Sequence, residues 1–161
     1  MPERIYILTG TIHSRKTTRL LQWSANKKDV FGILTPVVEG KRVFFNISAK
    51  EQFRMEAEPN EENVFSIGRF VFSKRAFEKA ISILKKALNE NKGWLIVDEI
   101  GPLELRNEGF HDAIMEILKT EINLNILFVI RDTILEKTIM FYKLTPQKIT
   151  IINKDNDIFK K

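Results

Sequence analysis

Residues 5–18 read Ile-Tyr-Ile-Leu-Thr-Gly-Thr-Ile-His-Ser-Arg-Lys-Thr-Thr, a short apolar strand running into what is nearly a phosphate-binding P-loop. The full pattern is G-x-x-x-x-G-K-[ST], in which backbone N–H groups wrap the phosphates, the lysine reaches the β/γ oxygens and the hydroxyl ligates Mg2+. Gly10, Lys16 and Thr17 fit this pattern, while Arg15 stands where the last glycine belongs. The flanks supply the context the motif needs. Residues 4 to 9 read as a buried strand, and Lys16 to about Asn26 as a helix whose inner face carries Leu20, Leu21 and Trp23.

Working outward, Val30 to about Val38 and Arg42 to about Ser48 are β-rich runs separated by Glu39-Gly40-Lys41, a hairpin expected to extend the sheet antiparallel. Residues 50–63 are acid-rich and contain a proline, so they read mostly as exposed loop with at most a short strand. Val64 to Phe72 reads as one strand region. Ser73 is placed to cap a helix reaching about Asn89, with Phe77, Ile81, Leu84 and Leu88 at helical spacing. Trp94-Leu95-Ile96-Val97-Asp98-Glu99 is an apolar run closing on two carboxylates, as in a strand covered on both faces. A helix at 109–120, a strand at Asn125–Ile130 ending at Arg131, a helix at about 132–142 and a strand at about 147–152 complete the chain. This alternation predicts a three-layer α/β sandwich with a mostly parallel sheet, right-handed crossovers and an added antiparallel hairpin.

The bulk composition agrees with that class. A chain of 161 residues has length for one domain, taken as residues 1–161, and 43% hydrophobic with 29% charged residues is ordinary for a globular protein. The net charge of +5 is spread along the chain rather than gathered into a stripe, so nucleic acid is not an expected partner. With no cysteine, disulfides, thiolate metal sites and cysteine nucleophiles are excluded, and His13 and His111 are too few to suggest a histidine metal site. The N-terminus lacks a signal-peptide pattern and no apolar run approaches the roughly 20 residues of a membrane span. The cytoplasm is the expected location, with no membrane partner.

Ligands of doubly wound sheets collect beyond the carboxyl ends of the parallel strands, where the loop Gly10-Thr11-Ile12-His13-Ser14-Arg15-Lys16-Thr17-Thr18, Asp98-Glu99 and Arg131 are all expected. Phosphate on that loop would gain from the N–H groups and positive dipole end of the helix that follows. Lys16 and Glu99 are the catalytic candidates, Glu99 as the group that orients or deprotonates water. Thr17 and Asp98 are the candidates for Mg2+, Asp98 as a Walker-B aspartate to the loop's Walker A. Arg131 is a candidate phosphate contact.

The sequence resembles the THEP-type nucleoside triphosphatases, small P-loop proteins related to nucleotide kinases. The resemblance spans nearly the whole chain. It is carried by residues 7–18, by Gly-Ile-Leu-Thr-Pro-Val-Val-Glu-Gly-Lys-Arg-Val at 32–43, by Ile-Gly-Arg-Phe-Val-Phe at 67–72 and most specifically by Ile-Val-Asp-Glu-Ile-Gly-Pro-Leu-Glu-Leu at 96–105. Ile-Asn-Lys-Asp-Asn at 152–156 is similar to the family's closing segment, with lysine where arginine is usual after the asparagine. The resemblance implies a P-loop NTPase fold and Mg2+-dependent cleavage of nucleoside triphosphates to diphosphate and phosphate. By position, Lys16 and Thr17 would contact phosphate and Mg2+, Asp98 would support the metal and Glu99 the water, while Glu104 matches a second glutamate whose role the residues alone do not give.

The family loop usually has glycine at both His13 and Arg15. A non-glycine residue in the left-handed region costs roughly 1–2 kcal/mol, histidine being the milder case, so binding is expected to weaken by about one to three orders of magnitude if binding alone demands those conformations, and hydrolysis to be reduced or lost. Three readings follow: a nucleotide binder with impaired hydrolysis, an active triphosphatase or a kinase for a nucleotide or small metabolite, and a non-catalytic scaffold whose phosphate site Arg15 fills. Protein partners do not follow from the sequence.

Overall fold

A computed structural model describes residues 1–159. Its framework is a sheet in the order β10-β1-β9-β8-β2-β4-β3, formed by Ile5–Gly10 (β1), Val30–Leu34 (β2), Val37–Val38 (β3), Lys41–Asn46 (β4), Trp94–Ile100 (β8), Asn125–Arg131 (β9) and Ile149–Ile152 (β10), with Glu51–Arg54 (β5) paired to β4. β10, β1, β9, β8 and β2 are mutually parallel, and β4 joins β2 antiparallel. Four α-helices accompany them: Lys16–Ser24 (α1), Lys74–Ala87 (α2), His111–Lys119 (α3) and Leu135–Phe141 (α4).

Side-chain alternation along the central strands divides the core in two. Ile126, Phe128 and Ile130 of β9 join Leu95 and Val97 of β8 and Phe77 and Leu84 of α2 on one face, together with Ile114 and Ile117 of α3. Leu127, Val129 and Ile96 point the other way, toward Leu20 of α1 and Phe159. Trp23, Trp94 and Phe159 meet edge to face there, which holds the C-terminal segment against α1. The parallel sheet, its helices and the antiparallel addition at β4 agree with the three-layer expectation.

Two expected strands are each two shorter ones. The run 30–38 breaks at Thr35-Pro36 because the Thr35 N–H donates to Asp98 Oδ2 at 3.1 Å instead of a ladder, and Pro36 has no N–H to give. The region 64–72 is a hairpin, Val64–Ile67 (β6) with Phe70–Ser73 (β7), turning at Gly68-Arg69 outside the main sheet. The acidic stretch contributes β5, and β10 begins at Ile149 after a 3-10 turn at Pro146–Lys148. α1 ends at Ser24, earlier than expected, and the helix expected at 132–142 is a 3-10 turn at Asp132–Ile134 followed by α4. Ser73 caps α2 as expected, its Oγ accepting from the Ala76 N–H at 3.2 Å. Among the described residues, no helix is long and apolar enough to cross a membrane.

Candidate functional site

Strand register brings the predicted residues together. Gly10, the last residue of β1, lies opposite Arg131 at the end of β9, and Asp98 of β8 lies opposite Val129. The β8–β9 ladder skips Glu99 between Asp98 and Ile100. This bulge leaves Asp98 buried at 1% exposure and Glu99 partly open to the cleft above the strands. The cleft, about 590 Å3, is walled by residues 12–18, Leu21, Thr35, Pro36, Val37, Arg42, Glu99 and Arg131.

The loop between β1 and α1 carries two non-glycine residues in the left-handed region. His13 and Arg15 have φ of 67° and 62°, both left-handed, and Arg15 is the N-cap of α1. No side chain caps α1 and its first turn carries no acid, so its leading N–H groups remain available to an anion. Thr11, Ile12, His13, Arg15 and Thr18 are exposed, while Ser14 and Thr17 are half-buried. Arg15 makes no ion pair among the described residues, so it does not seal the site against Asp98 or Glu99.

Lys16 folds back under the loop, and its ammonium donates to Thr11 O at 2.9 Å, Ser14 Oγ at 3.1 Å and Gly10 O at 3.4 Å. Burial lowers its pKa, with Glu99 and Asp98 opposing that shift. Thr17 Oγ1 donates to Asp98 Oδ2 at 2.7 Å, the oxygen that also accepts from Thr35 N–H. Burial and then the neighbouring Glu99 charge raise Asp98 to a pKa of about 6, against the pull of those two hydrogen bonds. Glu99 Oε1 is 3.1 Å from the Arg131 guanidinium. Arg131 therefore lines the cleft as anticipated, paired to the carboxylate rather than free.

A hydroxyl and a carboxylate in direct contact beside a phosphate-shaped loop are hard oxygen donors of the kind Mg2+ takes alongside phosphate oxygens, so Thr17 and Asp98 suit that ion. No group of three His, Asp or Glu side chains is arranged as a metal cage among the described residues.

Several residues of the site carried no motif. Arg42, at the start of β4, lines the cleft and lowers the Asp98 pKa by its charge. Arg19 of α1 donates to Ser14 O, and its Nε lies 2.7 Å from Asp157 Oδ2 without the alignment of a hydrogen bond, tying the loop to the C-terminal segment. Glu104 now has a structural account. Its carboxylate is 3% exposed and accepts from Gly101 N–H at 2.7 Å and Phe110 N–H at 2.8 Å, cinching the loop that follows β8. Gly109 at φ +61° makes room for it, since a Cβ there would lie 2.0 Å from Glu104 Oε2.

Burial raises Glu104 from 4.5 to about 7, over the opposing hydrogen bonds. The folded state thus holds a proton that the unfolded state releases, so this group's contribution to stability falls as pH rises from about 4.5 to about 7. Glu104→Gln should flatten that part of the pH profile. It should also lower stability by about 1–3 kcal/mol at pH 5, because the amide NH2 faces a backbone donor. Urea melts at pH 5 and 7.5 check this; an unchanged slope with pH would contradict it.

A family model described as NTPase matches residues 5–160. The chain belongs to the NTPase family. THEP1 from the hyperthermophile Aquifex aeolicus, a crystal structure, is similar over 92% of this chain and 88% of that one, with TM-score 0.72 and 22% identity. A human cancer-related nucleoside triphosphatase, a solution structure, is similar over 93% of this chain and 88% of that one, with TM-score 0.67 and 22% identity. At that identity the likeness concerns the fold, and it agrees with the P-loop NTPase architecture described above for this NTPase-family chain. No curated protein matches the sequence.

Proposed function

We propose that this protein binds a nucleoside triphosphate on residues 10–18 and cleaves it to diphosphate and phosphate, slowly. The observation that carries the reading is the left-handed conformation of His13 and Arg15 within a loop that still presents Lys16, Thr17 and free helix N–H groups. The intact lysine, hydroxyl and uncapped helix start beside those two residues support retained affinity.

Lys16 would exchange its three loop acceptors for β/γ oxygens, and the N–H groups of residues 14–18 would take the remaining phosphate charge. Glu99, partly exposed beside Arg131, would orient the attacking water and receive its proton, while Arg131 would steady the carboxylate and the charge developing on the γ-phosphoryl. Thr17 and Asp98 would hold Mg2+, which when bound neutralises phosphate charge. The Arg15 side chain, exposed at the cleft rim, limits how closely the loop can follow the γ-phosphoryl.

The test is phosphate release from ATP and GTP with Mg2+. Activity should be lost in Glu99→Gln and raised about tenfold in the double variant His13→Gly, Arg15→Gly, the equivalent of ~1.4 kcal/mol in barrier. Nucleotide affinity should change by less than about tenfold in the double variant, because Lys16, Thr17 and the uncapped helix start are untouched by it. A rate unaffected by Glu99→Gln would overturn the hydrolytic assignment.

A further inference from the structure

A second cavity opens from the cleft past Glu99 and Arg131 and shares Thr35 and Arg42 with it. Its walls are Met55, Ile67, Phe70, Phe72, Phe77 and Phe110. Phe77 and Phe110 pack at 5.2 Å between ring centroids, and Phe70 stacks on Phe72 at 5.9 Å. The outer wall is the β6–β7 hairpin, whose Ser66 carbonyl accepts from Arg106 Nη2 at 3.2 Å. Hydrolysis alone has no use for this chamber, because an apolar cavity holds water poorly.

We propose that this chamber is an acceptor subsite for a small alcohol with an apolar body, which receives the γ-phosphoryl in place of water. The inference rests on the reading of the cleft as a triphosphate site. The body of such a ligand must be apolar, because the one ionisable group in the chamber's depth, Glu104, has both carboxylate oxygens engaged by backbone N–H groups. Its reacting group must be a hydroxyl rather than a carboxylate, since it meets the Glu99 carboxylate at the mouth of the chamber and Glu99 needs a proton to accept.

Size narrows the class. The chamber holds about 90 Å3, and at roughly 10–15 Å3 for each water-sized sphere that is room for an organic body of about six to nine non-hydrogen atoms. A nucleoside monophosphate is too large for it. In the transfer step the hydroxyl oxygen bonds to the γ-phosphorus as the bond from that phosphorus to the β,γ-bridging oxygen breaks. The nucleoside diphosphate leaves with the electron pair, and the hydroxyl proton passes to Glu99. Arg42 and Arg131, at the junction of the two cavities, face the charge spread over the moving phosphoryl.

The experiment titrates the full chain with benzyl alcohol, 2-phenylethanol and 3-methylbutan-1-ol, with AMP as a size control, and follows the Met55 and Ile67 methyl resonances by NMR. At least one alcohol should shift both methyls saturably, and AMP should not. Ile67→Trp, which fills the chamber from its half-buried rim, should weaken that binding at least tenfold. With ATP and Mg2+ added, phosphorus NMR should show a phosphomonoester of the alcohol that is absent with Glu99→Gln.

No saturable shift with any of the three alcohols would overturn the proposal, as would equal binding of AMP at these methyls. Saturating alcohol with release of inorganic phosphate alone would overturn the acceptor role. The amide resonances of residues 10–18 report on the cleft separately. Alcohol binding without any response of those amides to ATP would overturn the triphosphate reading and the transfer step, and would support the small-alcohol site by itself.

Discussion

Lys16→Ala is expected to weaken ATP and GTP binding by about 10- to 100-fold and to bring phosphate release to background. Hydrogen bonds to a charged partner contribute roughly 1.5–3 kcal/mol each, and this ammonium supplies several in one place. Those donors are turned onto Thr11 O, Ser14 Oγ and Gly10 O. Burial disfavours the charge there and the Glu99 and Asp98 carboxylates offset it only in part, so phosphate gains a donor held close at hand. The same feature predicts that the fold survives the substitution, with a thermal midpoint close to that of the parent. Lys16→Arg should not restore binding, since a planar guanidinium cannot occupy the space beneath the loop as a point charge does. Isothermal titration on both variants, beside thermal melts, checks this. Unchanged affinity in Lys16→Ala would remove the lysine from the phosphate site.

Gly32→Ala should be strongly destabilising, costing about 3 kcal/mol or more. Gly32 has φ +113°, and a Cβ on it would lie 2.1 Å from Ile96 O, inside the β2–β8 ladder where the two residues are partners. No side-chain motion relieves a clash with backbone. The strand must shift, and Asp98 follows two residues further along β8. A fall in midpoint of roughly 6–12 °C is expected for a chain of this size. Nucleotide binding should weaken with it, because the Thr17–Asp98 contact depends on the position of β8. A melt within a degree or two of the parent would show that β2 and β8 are not held at this separation.

Legibility in the sequence followed how locally each feature is encoded. Leu95-Ile96-Val97 and Ile126–Ile130 announce strands covered on both faces because every residue is apolar, and burial of both cores bears that out. Gly10, Lys16, Thr17 and Asp98-Glu99 were readable because strand-end chemistry sits at fixed spacing from apolar runs. Arg42 was not. Its approach to the cleft depends on β4 pairing with β2 and on Thr35 leaving its ladder for Asp98, which are long-range events. The β6–β7 hairpin was hidden because Gly68-Arg69 interrupts an otherwise continuous β-rich run with a single turn glycine. Glu104 shows the same limit: its match to a family position gave no role, and the role emerged from two backbone donors, Gly101 and Phe110, on either side of it.

The central claim is that a loop bearing His13 and Arg15 still accepts a triphosphate. The most direct measurement is isothermal titration of the full chain with a non-hydrolysable ATP analogue, with Mg2+ and again with EDTA. Saturable one-to-one binding, tighter with Mg2+ and accompanied by stabilisation of about 2.7 kcal/mol at 100 times the dissociation constant, is the predicted result. No heat and no thermal stabilisation at millimolar analogue, with the protein folded, would contradict it.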